Sequence, residues 1–116
     1  MLYLEIILFV EQKTILIQLL VAFDLPTETI SDRSNYRKFR SFLIKNGYIM
    51  FQESLYYKII RNTLHSSNEI HEVSANSPSN GNIIALPLTI NEFSKLKTIQ
   101  GNAFDMKEFT VDVIVY

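Results

Sequence analysis

The side chain in this sequence best placed to do chemistry is Asp24. It ends an almost unbroken apolar run, I-L-I-Q-L-L-V-A-F over residues 15–23, and a Leu-Pro-Thr turn follows at once. A carboxylate there has two readings. It forms the turn ahead of Pro26, as short acidic side chains often do. Or it is a metal ligand or general base held at the carboxyl end of a strand, where loops gather ligands. The only second carboxylate nearby is Glu28, on the following loop, so one chain offers a thin metal site. A two-fold dimer would bring two copies of Asp24 together and supply what one chain lacks.

The second group with chemical potential is cationic. Arg33, Arg37 and Arg40 fall on one stripe of a helix by the 3.6-residue period, with Lys38 beside them. Between residues 33 and 61 the basic side chains are these four plus Lys45, Lys58 and Arg61, against one acid, Glu53. The formal net charge of the whole chain is −1, so the flanks are acidic and one face is expected to be basic. No acid stands three or four residues from any of the three arginines to neutralise it. The stripe therefore reads as a phosphate-binding face rather than a solvated helix flank.

Other chemistries find little support. The three glycines, Gly47, Gly81 and Gly101, form no phosphate-cradling loop, and His65 and His71 lie six apart, which is not helical ligand spacing. There are no cysteines, which excludes disulfides and thiolate metal sites. No serine, histidine and aspartate set follows from their order alone.

These groups need a scaffold. At 116 residues, with 47 % hydrophobic side chains, eight Phe and six Tyr, the chain reads as one globular domain with a small core. Residues 1–14 read as an N-terminal extension or extra strand; the apolar start lacks a basic leader and carries Glu5, unlike a signal peptide. Neither apolar run reaches the roughly 18 residues that cross a bilayer, so no membrane association and a cytoplasmic setting are expected.

Residues 15–23 read as a central strand buried on both faces. Ser31 or Asp32 is expected to cap a helix running to about Asn46, with Gly47 stopping it and Tyr36, Phe39 and Leu43 on its core face. Residues 48–60 alternate as one long strand, with Ile49, Phe51, Glu53, Leu55 and Tyr57 on one side. A second helix is expected over 66–76, capped by Asn68 or a nearby serine and docked by Ile70 and Val73. A Pro/Ser/Asn/Gly turn over 77–82 leads to a strand over 83–88, and Thr89 with Glu92 caps a short helical turn. Residues 97–100 read as a short strand, and the alternating tail 109–116 as another. The order is βαββαβ, an α+β ferredoxin-like sandwich with an additional C-terminal strand. That last strand would cover a sheet edge on a neighbouring protomer.

Three runs then carry a family resemblance: L-L-V-A-F-D-L-P-T-E-T over 19–29, D-R-S-N-Y-R-K-F-R-S-F-L-I-K-N-G over 32–47, and Q-E-S-L-Y over 52–56. Together with P-S-N-G-N-I over 78–83, L-T-I-N-E-F over 88–93 and Gly101, they resemble the CRISPR-associated protein 2 family, in the version found beside single-effector (type II) systems. The resemblance implies a ferredoxin-like homodimer that serves in spacer acquisition. There it is the central dimer between CRISPR integrase subunits and grips the backbone of a spacer-precursor duplex. It further implies that Asp24 matches the aspartate that binds a divalent metal, usually Mg²⁺, at the dimer interface of nuclease-active members, which act as endonucleases on RNA or DNA. By position, the family's basic first helix falls on Arg33, Arg37, Lys38 and Arg40, and its Q-x-S motif on Gln52 and Ser54. Two departures are evident: the extension before Ile15 is long, and the second helix carries Ser66, Ser67, Glu69 and Glu72 where relatives are often basic.

Overall fold

The structure, a computed structural model, describes residues 16–61 and 63–101. The expectations for 1–14 and for the strand over 109–116 lie outside the described residues. Strand β1 (Ile17–Asp24) is followed by helix α1 (Ile30–Lys45), the strands β2 (Ile49–Gln52) and β3 (Leu55–Ile60), helix α2 (Thr63–Ala75), strand β4 (Asn82–Thr89) and a helical turn, α3 (Ile90–Phe93). The four strands form one antiparallel sheet in the order β2-β3-β1-β4. This is the βαββαβ, ferredoxin-like plan the sequence pattern implied.

The near-continuous apolar character of β1 follows from its place. It has a hydrogen-bonded neighbour on each side, β3 and β4, and side chains packed against both of its faces. On the helix side Leu19, Val21 and Phe23 meet Phe39 and Leu43 of α1, Tyr56 and Ile60 of β3, and Val73 of α2. Phe23 is the hub. Its ring lies 5.1 Å edge-on from Phe39, 5.8 Å edge-on from Tyr36, and stacked 5.7 Å from Tyr56. On the opposite, outer face Tyr57 and the fully buried Phe93 gather Leu20, Phe51, Ile59 and Leu88. Gln18, also fully buried and in register with Ile59 and Leu88, has no hydrogen-bond partner among the described residues for either side-chain amide atom. Such an orphan amide destabilises a fold.

Four expectations about the elements are corrected. Residues 48–60 are not one strand but a hairpin, turned at Glu53–Ser54 with Ser54 at φ +70. A turn in that conformation usually carries Gly or Asn, so Glu-Ser hid it. Ile49 pairs with Tyr57 and Met50 with Tyr56, and the register then shifts by one residue before Gln52, which pairs with Leu55. Helix α1 is capped by Thr29, not Ser31 or Asp32. Asp32 is the third helical residue and returns the bond in a capping box (Asp32 N–H to Thr29 Oγ1, 3.0 Å; Thr29 N–H to Asp32 Oδ2, 3.2 Å). Helix α2 begins a turn earlier than expected; Ser66 lies inside it, buried, where its small side chain fits against the sheet. Residues 97–100 form no strand, because their one large apolar side chain, Ile99, finds nothing to pack on and is 99 % exposed.

The short helical turn follows expectation. Thr89 caps α3, and Glu92 accepts from the Thr89 N–H at 2.9 Å while its own N–H donates to Thr89 Oγ1 at 3.1 Å. That backbone bond, with the side-chain bond behind it, holds the Glu92 carboxyl below the ordinary glutamate range.

Candidate functional site

Asp24 is the last residue of β1, and it is exposed. It pairs in register with Asn82, the first residue of β4. Side chains alternate along a strand, so Asp24 shares the outer face with Ala22 and Leu20 and with their cross-strand partners Ile84 and Leu86. Those two are 66 % and 51 % exposed, so the carboxylate stands at one end of an open apolar strip.

Two turns hold its backbone. On one side the Phe23 N–H donates to the Ser54 carbonyl at 3.0 Å, which seats the Q-x-S hairpin turn beside the end of β1. On the other, Gly81 adopts φ +94 and packs so closely that a Cβ there would lie 2.7 Å from the Asp24 carbonyl oxygen and from Leu25 Cδ2. Only glycine fits that approach. The arrangement offers oxygen donors, the Asp24 carboxylate and the neighbouring Asn82 amide, which suit a hard divalent cation such as Mg²⁺. Among the described residues no three His, Asp or Glu side chains form a metal-holding group. One chain therefore contributes one carboxylate, whose oxygens are of the kind that suits Mg²⁺.

The cations of α1 separate into two kinds. Arg33 and Arg40 are tied down. Arg33 Nη1 donates to the carbonyls of Thr27 (3.1 Å) and Glu28 (3.0 Å), in the loop that leaves Asp24. Arg40 Nε donates to the Tyr56 hydroxyl at 2.9 Å. Arg37 and Lys38 instead line an open groove along the solvent side of α1 with Ser34, Ser41 and Lys45. Among the described residues no carboxylate pairs with Arg37, Lys38 or Lys45. Lys45 belongs to the charge excess of the sequence but not to its candidate binding residues; its place seven and eight residues on from Lys38 and Arg37, about two helical turns, is the signal that marks it.

Lys58 belongs to neither group. It forms an ion pair with Glu69 of α2 (2.5 Å), and its ammonium lies 5.5 Å from the centre of the Tyr48 ring. The Tyr48 hydroxyl donates to the other Glu69 oxygen at 3.1 Å. Burial, and then the Glu69 charge, push the Tyr48 phenol well above its ordinary range. So Glu69, which made α2 look acidic, is spent inside the fold. Nor does Lys58 add to the exposed basic surface.

Comparison with known proteins accords with this arrangement. A family model described as CRISPR associated protein Cas2 matches residues 17–96, from the first residue of β1 to just past α3. The CRISPR-associated endoribonuclease Cas2 of Streptococcus mutans is 37 % identical over 84 residues, covering 72 % of this chain and 77 % of the relative. Those of Treponema denticola (35 % over 86 residues; 74 % and 85 % covered) and Acidovorax ebreus (37 % over 84 residues; 72 % and 82 % covered) are similar to the same degree. With the ferredoxin-like sheet, the strand-end aspartate and the basic first helix all inside the matched span, the chain belongs to the Cas2 family of CRISPR-associated proteins.

Proposed function

We infer that this protein is a dimeric, nucleic-acid-holding subunit of CRISPR spacer acquisition, which grips a spacer-precursor duplex by its backbone and works with the CRISPR integrase. The observation that carries the reading is the solvent side of α1, where Arg37, Lys38 and Lys45 face an open groove without carboxylate partners among the described residues. Cations and hydroxyls in such a row suit phosphates and carry no base readout. The second copy is expected on the outer sheet face. Ile84 and Leu86 lie open there, and covering them removes apolar surface from water. Among the described residues no helix is long and apolar enough to cross a membrane.

Direct binding tests it. Duplex binding followed by fluorescence anisotropy should weaken steeply between low and moderate salt, and Arg37→Glu should weaken it further. Affinity that is unchanged across that salt range contradicts the reading.

One feature favours a second reading, a Mg²⁺-dependent phosphodiesterase. Asp24 lies on the same outer face and in line with the open strip, so a partner seated there would bring two carboxylates toward one ion. Bound Mg²⁺ would activate water and stabilise the leaving oxygen; the chain's part is to hold it with Asp24. The similar proteins named endoribonucleases point to RNA as the first substrate to try. Cleavage should require Mg²⁺ and vanish in Asp24→Ala; equal cleavage by both proteins refutes this reading.

A further inference from the structure

The Arg40–Tyr56 hydrogen bond does something that the composition of α1 does not require. Arg40 is exposed on the helix, whereas Tyr56 is 1 % exposed and sits in the sheet below. The Tyr56 ring cannot wander: it stacks at 5.7 Å on Phe23, itself wedged edge-on against Phe39, and its backbone pairs with Val21 and Met50. Its hydroxyl is therefore a fixed acceptor at the edge of the core. The bond uses the Nε–H of Arg40. Four N–H donors on the two terminal nitrogens remain, which is the fork that grips a phosphate through two parallel bonds.

An untethered arginine gives up considerable rotamer freedom when it docks on a phosphate. A side chain already held by one nitrogen gives up less.

We propose that Tyr56 is a positioning residue for nucleic acid: its buried hydroxyl holds Arg40 by Nε at the edge of the core and leaves the terminal nitrogens for a backbone phosphate. The proposal rests on the reading of α1 as a duplex-binding face. It also gives a role to the tyrosine that ends the Q-E-S-L-Y run, which neither the metal site nor the groove uses.

The test compares wild type with Tyr56→Phe, Arg40→Ala, Arg40→Lys and the Tyr56→Phe/Arg40→Ala double variant. Binding to a mixed-sequence DNA duplex is measured at several salt concentrations, with thermal unfolding as the check on folding. Tyr56→Phe keeps the ring and its packing, and Arg40→Lys keeps the charge on an exposed site; both lose the Nε–hydroxyl bond. Each is expected to bind about three- to tenfold more weakly, and Tyr56→Phe should keep the wild-type salt slope. Arg40→Ala should weaken binding and lower the slope by about one. The double variant should bind as Arg40→Ala does, because without the guanidinium the hydroxyl has nothing to position. Weakened binding in Arg40→Ala with wild-type binding in Tyr56→Phe overturns the tether alone. So does a double variant weaker than Arg40→Ala by the full Tyr56→Phe factor. Wild-type binding in Arg40→Ala removes Arg40 from the duplex face and overturns the proposal with it.

Discussion

The two faces of the sheet are built to different specifications. On the helix side, α1 and α2 close over β1, β3 and β4, and the aromatic rings of Phe23, Phe39 and Tyr56 lock together around a single hub. The outer face is finished at one end only. There α3 lays Phe93 over Tyr57 and Phe51, at ring separations of 6.1 Å, while Ile84 and Leu86 at the other end stay open and lead to Asp24. The closed face holds the monomer together and carries the basic helix. The open end holds the strand-end carboxylate of Asp24 and the exposed apolar side chains of Ile84 and Leu86. One side of β1 is thus buried along its length, while the other passes from the Tyr57 and Phe93 cluster to open apolar surface.

Five substitutions test that contrast. Phe39→Ala removes the ring that wedges Phe23 from a site 1 % exposed. It should lower unfolding stability by about 3–5 kcal/mol in a denaturant titration; a loss well under 1 kcal/mol would mean that the inner face is not the stabilising one. Glu69→Ala leaves Lys58 and the Tyr48 hydroxyl without their acceptor and should cost about 2 kcal/mol. The same cluster has a pH signature. The folded state keeps the Tyr48 proton above the pH near 10 at which an unfolded tyrosine loses it. The stability it contributes is complete below that pH and falls as pH rises past it. A Tyr48→Phe variant should lack that alkaline loss.

On the outer face Gln18→Leu replaces the orphan amide under α3 with an apolar side chain of similar size. It should raise the unfolding midpoint, by about 1 kcal/mol in stability; destabilisation would show that the amide has a partner after all. Smallest of all for the monomer is Ile84→Asn, expected within about 0.5 kcal/mol because the side chain is already exposed. Its effect belongs to assembly: sedimentation should show it shifting the protein toward monomer.

How much of this the sequence carried depends on whether neighbours in space were also neighbours in the chain. The two-sided burial of β1, the Phe39 and Leu43 stripe of α1 and the Thr89–Glu92 cap of α3 are local patterns, and the structure has them all. The Thr29–Asp32 capping box was equally local. It was missed because Ser31 and Asp32 are themselves good caps and drew the boundary inward. The hairpin turn at Glu53–Ser54 could not be read from propensity, since neither residue favours positive φ. Whether the arginines of α1 were free was not legible at all: Arg33 bonds backward to loop carbonyls, and Arg40 bonds to a tyrosine sixteen residues on. The same holds for Glu69. It counted as surface charge until folding set it against Lys58.

The most direct test of the account asks whether two copies meet on the outer face while duplex is held on α1. The chain has no cysteine, so Asp24→Cys carries a single spin label. Dipolar coupling between labels would then be measured on the protein bound to duplex DNA. Strong coupling is expected, with two position-24 labels close together in the DNA-bound species, and its loss when Ile84→Asn is added. A DNA-bound protein whose labels show no coupling would contradict it.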